Sequence, residues 1–185
     1  MNYNELLIRY AQSCDTAICG VDSHNKETTD SRFQRMLDGK EPVDETYLRS
    51  RLKNAYPRLE EVADATGLEM GTELIDTYFI AYHNAYIDAG DRNYEETVPA
   101  LRDHCKVHVV RVLKPEGESY VIEPYENVEL PFNVLAGFVK DAETSDLIVI
   151  HQLSGVKKID EAYYAKLKEY TDTDLYRDLV RRAEE

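Results

Sequence analysis

Tryptophan is absent from this sequence, and cysteine occurs only at Cys14, Cys19 and Cys105. So sparse and odd a set of thiols argues against a disulfide framework and suits a reducing compartment, so a cytoplasmic location is expected. Positive charge is also short. The chain holds 22 Lys and Arg against 36 Asp and Glu, a formal charge of −14. The deficit is spread out: residues 1–104 carry 11 basic and 20 acidic side chains, and the remainder carries 11 and 16. Neither part is basic enough to follow a phosphate backbone, so direct nucleic-acid binding is not expected. No apolar run approaches the roughly 20 residues needed to cross a bilayer. The opening MNYNELLIRYAQSC has no basic leader and no long apolar core. Neither a membrane span nor a signal peptide is expected.

Catalytic motifs are missing as well. There is no G-x-S-x-G nucleophile turn and no glycine pattern for a P-loop or a dinucleotide site. What remains is a change of rhythm near Cys105. Before it, apolar residues recur at helical spacing. Leu6, Leu7, Tyr10, Ala11 and Cys14 make a first stripe, with Asn2 or Asn4 as cap. CGVDSHNKETTDS is a polar interruption, followed by a short helix through Arg32, Phe33, Met36 and Leu37 that stops at Gly39. Asp44 caps the next helix, which Pro57 should end or bend. The clearest pattern runs over 71–89, where Leu74, Ile75, Tyr78, Phe79, Tyr82, Ala85 and Tyr86 form a broad buried face. DRNYEETVPALRDHC reads as one more short helix.

After Cys105 the period changes to two. Residues 106–113 and 120–125 read as one hairpin, and 132–139 and 147–151 as a second. NVLAGFV lacks decisive periodicity, so 132–138 could instead be helical. After Gly155 the chain is expected to return to helix, over 160–170 and then through Leu175, Leu179 and Val180. The fold class is therefore α+β: an N-terminal helical region (1–104), then a four-stranded antiparallel sheet of two hairpins and two C-terminal helices packed against it (105–185). The two regions are expected to form one compact unit.

Candidate chemistry is thin. His104, Cys105 and His108 are close in sequence, and Cys14 and Cys19 could join them, but the paired spacing of a zinc site is absent. Glu60, Glu61 and Asp64, or Glu73, Asp76 and His83, could present carboxylates and imidazole from helices, without the Glu-x-x-His spacing of di-metal bundles. No cofactor is expected. Ser154, in HQLSGVKK, sits where a strand gives way to a helix and could cap that helix or form an anion nest with Gly155 and Lys157 or Lys158. His108 and His151 each fall in a strand and could face one cleft as a general acid and base, with Ser154 nearby. The 14 tyrosines, against four phenylalanines, suit packed seams or an interface. The preferred reading is a small acidic soluble protein that acts by binding a protein partner or itself, in the extreme as an inhibitor that mimics nucleic acid. The alternative is a small hydrolase or phosphoesterase built on His108, His151 and Ser154.

Overall fold

The computed structural model describes residues 1–12, 26–91 and 103–185, with backbone alone over 26–30. Cys14, Cys19 and most of the segment DRNYEETVPALRDHC lie outside the described residues. Helix α1 (Tyr3–Gln12) opens with a reciprocal cap: Glu5 N donates to Asn2 Oδ1 at 2.9 Å, and Asn2 N to the Glu5 carboxylate at 3.1 Å. Helix α2 (Lys26–Leu37) starts earlier than its apolar stripe suggests. Asp44 caps α3 (Glu45–Arg51) by accepting from Tyr47 N at 3.0 Å. Pro57 does not end a helix. It lies in the first turn of α4 (Ala55–Thr66), where a missing amide donor costs no helical bond.

The long buried helix is continuous but not uniform. Helix α5 (Thr72–Asp76) passes through a π-helical segment (Thr77–Tyr82) into α6 (His83–Asp88). Every residue of the π segment is buried. π-helical turns are rare and often lie at functional sites. Helix α7 (Glu161–Glu169) is capped by Asp160 and α8 (Asp174–Ala183) by Thr173, rather than by Thr171 or Asp172.

The sheet corrects the expected meander. It has five strands, β1 (Val107–Glu116), β2 (Ser119–Pro124), β3 (Asn133–Leu135), β4 (Leu147–His151) and β5 (Ser154–Ile159), closed in the order β1-β2-β3-β5-β4. All pairs are antiparallel except β3 with β5, which is parallel at Leu135 and Ser154. The fifth strand occupies residues expected to lead into a helix. The stretch 132–139 is neither a full strand nor a helix, since only Asn133–Leu135 forms a strand. Closure removes the exposed edges that a four-stranded meander would leave. Helix α8 also departs from expectation, because it packs against α6 and α4 rather than against the sheet.

Alternation along the strands splits the buried residues in two. Val110, Val112, Tyr120, Ile122, Val134, Ile148 and Ile150 fill the barrel interior. Val107, Val109, Leu147, Val149 and Val156 point outward into the core shared with the helices. Each fully buried Val or Ile contributes roughly 1.5–3 kcal/mol of transfer free energy, so the outward set alone binds helices to barrel strongly. Described tyrosines mostly serve this packing: Tyr10, Tyr56, Tyr78, Tyr82, Tyr86, Tyr120 and Tyr164 are buried.

The barrel closes where two glycines cross. A Cβ on Gly155 would stand 2.5 Å from the Ala136 carbonyl oxygen, and one on Gly137 would stand 2.4 Å from that of Gly155. Both neighbours are backbone and cannot swing away. Gly155→Ala is therefore expected to lower stability by about 3 kcal/mol, at the upper end of overpacking costs. Urea denaturation reads this directly, and an unchanged midpoint would show that the seam can open without cost.

Candidate functional site

Most buried polar groups meet where α1, the π segment and the barrel touch. Asp76, fully buried on α5, accepts from Tyr10 Oη at 3.2 Å, from Lys157 Nζ at 2.6 Å and from Tyr163 Oη at 2.7 Å. Four elements thus converge on one carboxylate. Burial first, then the Asp76 charge, raises the Tyr10 and Tyr163 hydroxyls above their ordinary pKa, so both remain donors. Lys157 is held by the ion pair, with its ammonium 5.1 Å from the centre of the Tyr163 ring. A group so committed is a structural tie.

His151 lies close by and is also enclosed. Its Nδ1 is 2.8 Å from the Tyr10 carbonyl oxygen, and its Nε2 is 3.1 Å from that of Cys105. A neutral imidazole has one N–H, so it donates to only one of these acceptors. Burial lowers the His151 pKa to about 4, against the pull of both carbonyls. His83, with its ring centre 5.4 Å from that of His151, is also pushed down, by burial and then by its neighbour. The two line a cavity with Tyr10, Arg58, Tyr78 and Phe79, but its free volume is only ≈ 20 Å³. That is room for about one water and no substrate.

The structure does not bring His108 and His151 into one cleft. The pairs Val107–His151 and His108–Ile150 put the imidazoles on opposite faces of the sheet. His151 points outward with Val107 and Val149, and His108 points the way of Val110 and Ile150, toward the barrel interior. Burial lowers the His108 pKa, Glu126 opposes that shift and Lys106 adds to it. Glu126 is itself engaged by the Tyr164 hydroxyl and by Lys168 at 2.9 Å. His104 is exposed, and Cys105 is fully buried with Gln152 Nε2 3.4 Å from its sulfur. Among the described residues, no group of three His, Cys, Asp or Glu could hold a metal ion. None of their helices is long and apolar enough to cross a membrane.

Ser154 has a different fate. It opens β5 instead of a helix, so the expected helix cap and the nest with Gly155 do not form. The turn before it, Gln152–Leu153, holds both residues at positive φ (50° and 63°), a conformation usually given to Asn-Gly. This turn sets Ser154 beside the β3 end. There it lines an open pocket of ≈ 320 Å³ with Gly117, Glu118, Leu135, Ala136, Gly137 and Lys140. Ala136 N donates to the Glu118 carbonyl oxygen at 2.8 Å, joining the β1–β2 turn to the loop after β3. The volume lies at the lower end of the range for small-ligand sites. The histidine cavity has no room for a ligand, whereas this pocket does; a hollow of ≈ 340 Å³ beside Ala65, Thr173 and Leu175 is as large but shallower, so the barrel pocket is the candidate site.

The buried groups make two expectations. Asp76→Asn removes the anion from a tie that reaches Lys157, and a loss of about 3 kcal/mol in urea denaturation is expected. An equally stable variant would mean that the hydroxyls and the amide suffice. The second concerns acid. His151 titrates near 4 when folded and near 6.5 when unfolded, so the unfolded state takes up the proton first. Its stability contribution is complete above about pH 6.5 and falls by roughly 3 kcal/mol as pH drops to 4. His83 acts with the same sign. In His151→Gln the slope of stability against pH over this window should flatten, whatever its absolute stability. An unchanged slope would locate the acid sensitivity elsewhere.

Comparison with known proteins found no matching family model, no matching curated protein and no matching solved structure.

Proposed function

We propose that this protein acts by binding a basic protein partner through the outer face of β2 and β3. One observation carries this reading: Phe132, just before β3, and Leu135, at its end, are 83% and 62% exposed. These are the most exposed large aromatic and the most exposed leucine among the described residues. The helices pack on the barrel through β1, β4 and β5, and β2 and β3 pair with strands. Leu135 stands beside Ser119 and Asn133 beside Val121, so the bare face also includes a half-buried valine. Isolated exposed leucines need no explanation, but a nearly free phenylalanine three residues before one does.

Five-stranded Greek-key barrels commonly receive ligands over strands 2 and 3 and the loops joining strands 1–2 and 4–5. Phe132, Leu135 and the nearby pocket occupy that region here. The topology supports a place and no particular ligand. Charge selects the partner. Glu116, Glu118, Glu123 and Glu129 lie on or next to these strands, against Arg111, Lys114 and Lys140, in a chain of −14. A nucleic acid would be repelled, and a basic protein with an apolar anchor would be drawn in. The tyrosines expected from composition to form a contact surface are a weaker choice, since seven of the described ones are buried and the rest are only half-buried.

Wild-type protein and the Phe132→Ser/Leu135→Ser double variant, immobilised as baits, test this reading. A partner retained by the wild type should bind the double variant at least about tenfold more weakly and should weaken as salt rises. The variant itself should change stability by less than about 0.5 kcal/mol, since both side chains are exposed. A partner held equally by both baits would overturn the assignment. Self-association of the purified chain that strengthens with salt and is lost in the variant would give the face to a second copy instead.

A further inference from the structure

The ≈ 320 Å³ pocket is lined by three polar side chains that the protein leaves uncommitted. Other lysines on and beside the barrel are paired: Lys106 with Asp88 at 2.7 Å, Lys114 with Glu116 at 2.7 Å, Lys157 with Asp76 at 2.6 Å and Lys158 with Asp146 at 2.7 Å. Lys140 makes no ion pair or hydrogen bond among the described residues, and the Glu118 carboxylate and Ser154 hydroxyl make none either. The ammonium and the carboxylate come from separate segments, the loop after β3 and the β1–β2 turn. Between them lie Gly117, Ala136 and Gly137, with Leu135 supplying an apolar wall. Gly137 must stay bare, since a Cβ there would strike Gly155 and Ser154 Oγ. The pocket thus offers one positive group, one negative group, a hydroxyl, exposed backbone and one aliphatic surface.

We infer that this pocket binds a zwitterion of amino-acid size carrying an aliphatic side chain. Lys140 and Ser154 take its carboxylate, Glu118 takes its ammonium, and Leu135 meets its side chain. A simple anion would gain Lys140 but face Glu118, and a simple cation would meet the reverse. Only a molecule with both charges satisfies both walls.

The test is an amide NMR titration of the folded protein with three probes: leucine, leucinamide, which lacks the carboxylate, and N-acetylleucine, which lacks the ammonium. Leucine should shift the Gly117, Gly137 and Ser154 amides saturably, and each derivative should bind at least about tenfold more weakly, the worth of one charged contact. Lys140→Met should erase the preference for leucine over leucinamide, and Glu118→Gln the preference over N-acetylleucine. Both residues are exposed, and the same spectra report whether each variant stays folded. Equal shifts from all three probes, or none from leucine at its solubility limit, would overturn the inference. Leu135 is shared with the protein-binding face but Phe132 is not, so Phe132→Ser alone is expected to weaken partner retention and to leave the leucine titration unchanged, which distinguishes failure of one site from failure of the other.

Discussion

The Asp76 carboxylate is the constraint on which the rest of the arrangement depends. It sits fully buried at the end of α5, immediately before the π segment, and holds α1 through Tyr10, β5 through Lys157 and α7 through Tyr163. A buried carboxylate is tolerable only when its oxygens are satisfied, and here three donors do so. Each donor is also fixed. Tyr10 stacks on Phe79 with ring centres 4.0 Å apart, and Lys157 lies on a strand whose neighbour Val156 is fully buried. Moving any of the four elements would strand a charge. Apolar burial supplies most of the energy, and this tie supplies the register.

That register explains how one small barrel serves two environments. Its interior is a closed apolar core, and its outer surface on β1, β4 and β5 belongs to the helical core. Lys157 is the price of crossing between them: a cation pointing into the helical layer, admitted because Asp76 waits there. The two buried histidines belong to the same layer. Pushed toward neutrality by burial and enclosed around room for one water, they act as packing groups with a polar edge. General acid–base work needs an imidazole that reaches a substrate, and 20 Å³ holds none.

The legible parts of the sequence were those where the local pattern agrees with the tertiary outcome. LIVIH is apolar on both faces, and β4 spans Leu147–His151 with all five residues buried. The run over 71–89 has helical spacing throughout and is helical from Thr72 to Asp88. Its π segment was invisible because a shift in hydrogen-bond register leaves the apolar spacing nearly intact. The fifth strand was hidden by its composition. SGVKKI opens with turn residues and carries two lysines, one of them neutralised by a carboxylate 81 residues away in sequence. The turn before it uses Gln152 and Leu153 at positive φ, without the Asn or Gly that marks such turns. Ser154 stands where a strand ends in the sequence pattern, and it does line the pocket, although it starts a strand and not a helix. Glu118 and Lys140 gave no signal, being ordinary charges in turn-rich text until β3 and the β1–β2 turn are brought together.

The closing seam and the open pocket have one cause. A five-stranded barrel with so short a β3 closes only if the chain after β3 runs against the start of β5. The approach is close enough that neither Gly137 nor Gly155 can carry a Cβ. Past Gly155 the two segments stay in touch, Phe138 N donating to the Gly155 carbonyl oxygen at 2.8 Å and Lys158 Nζ to that of Asp141 at 3.3 Å, and the pocket opens on the Gly137 side of the seam. Glu118, Lys140 and Leu135 therefore border exposed backbone rather than a packed wall. Elsewhere around the barrel the lysines neutralise nearby carboxylates, and the helices cover the apolar residues. Here neither happens, because the closure that excludes side chains from the seam also excludes the partners they would have offered. Unspent charge and bare backbone at this end of the barrel follow from the way it shuts.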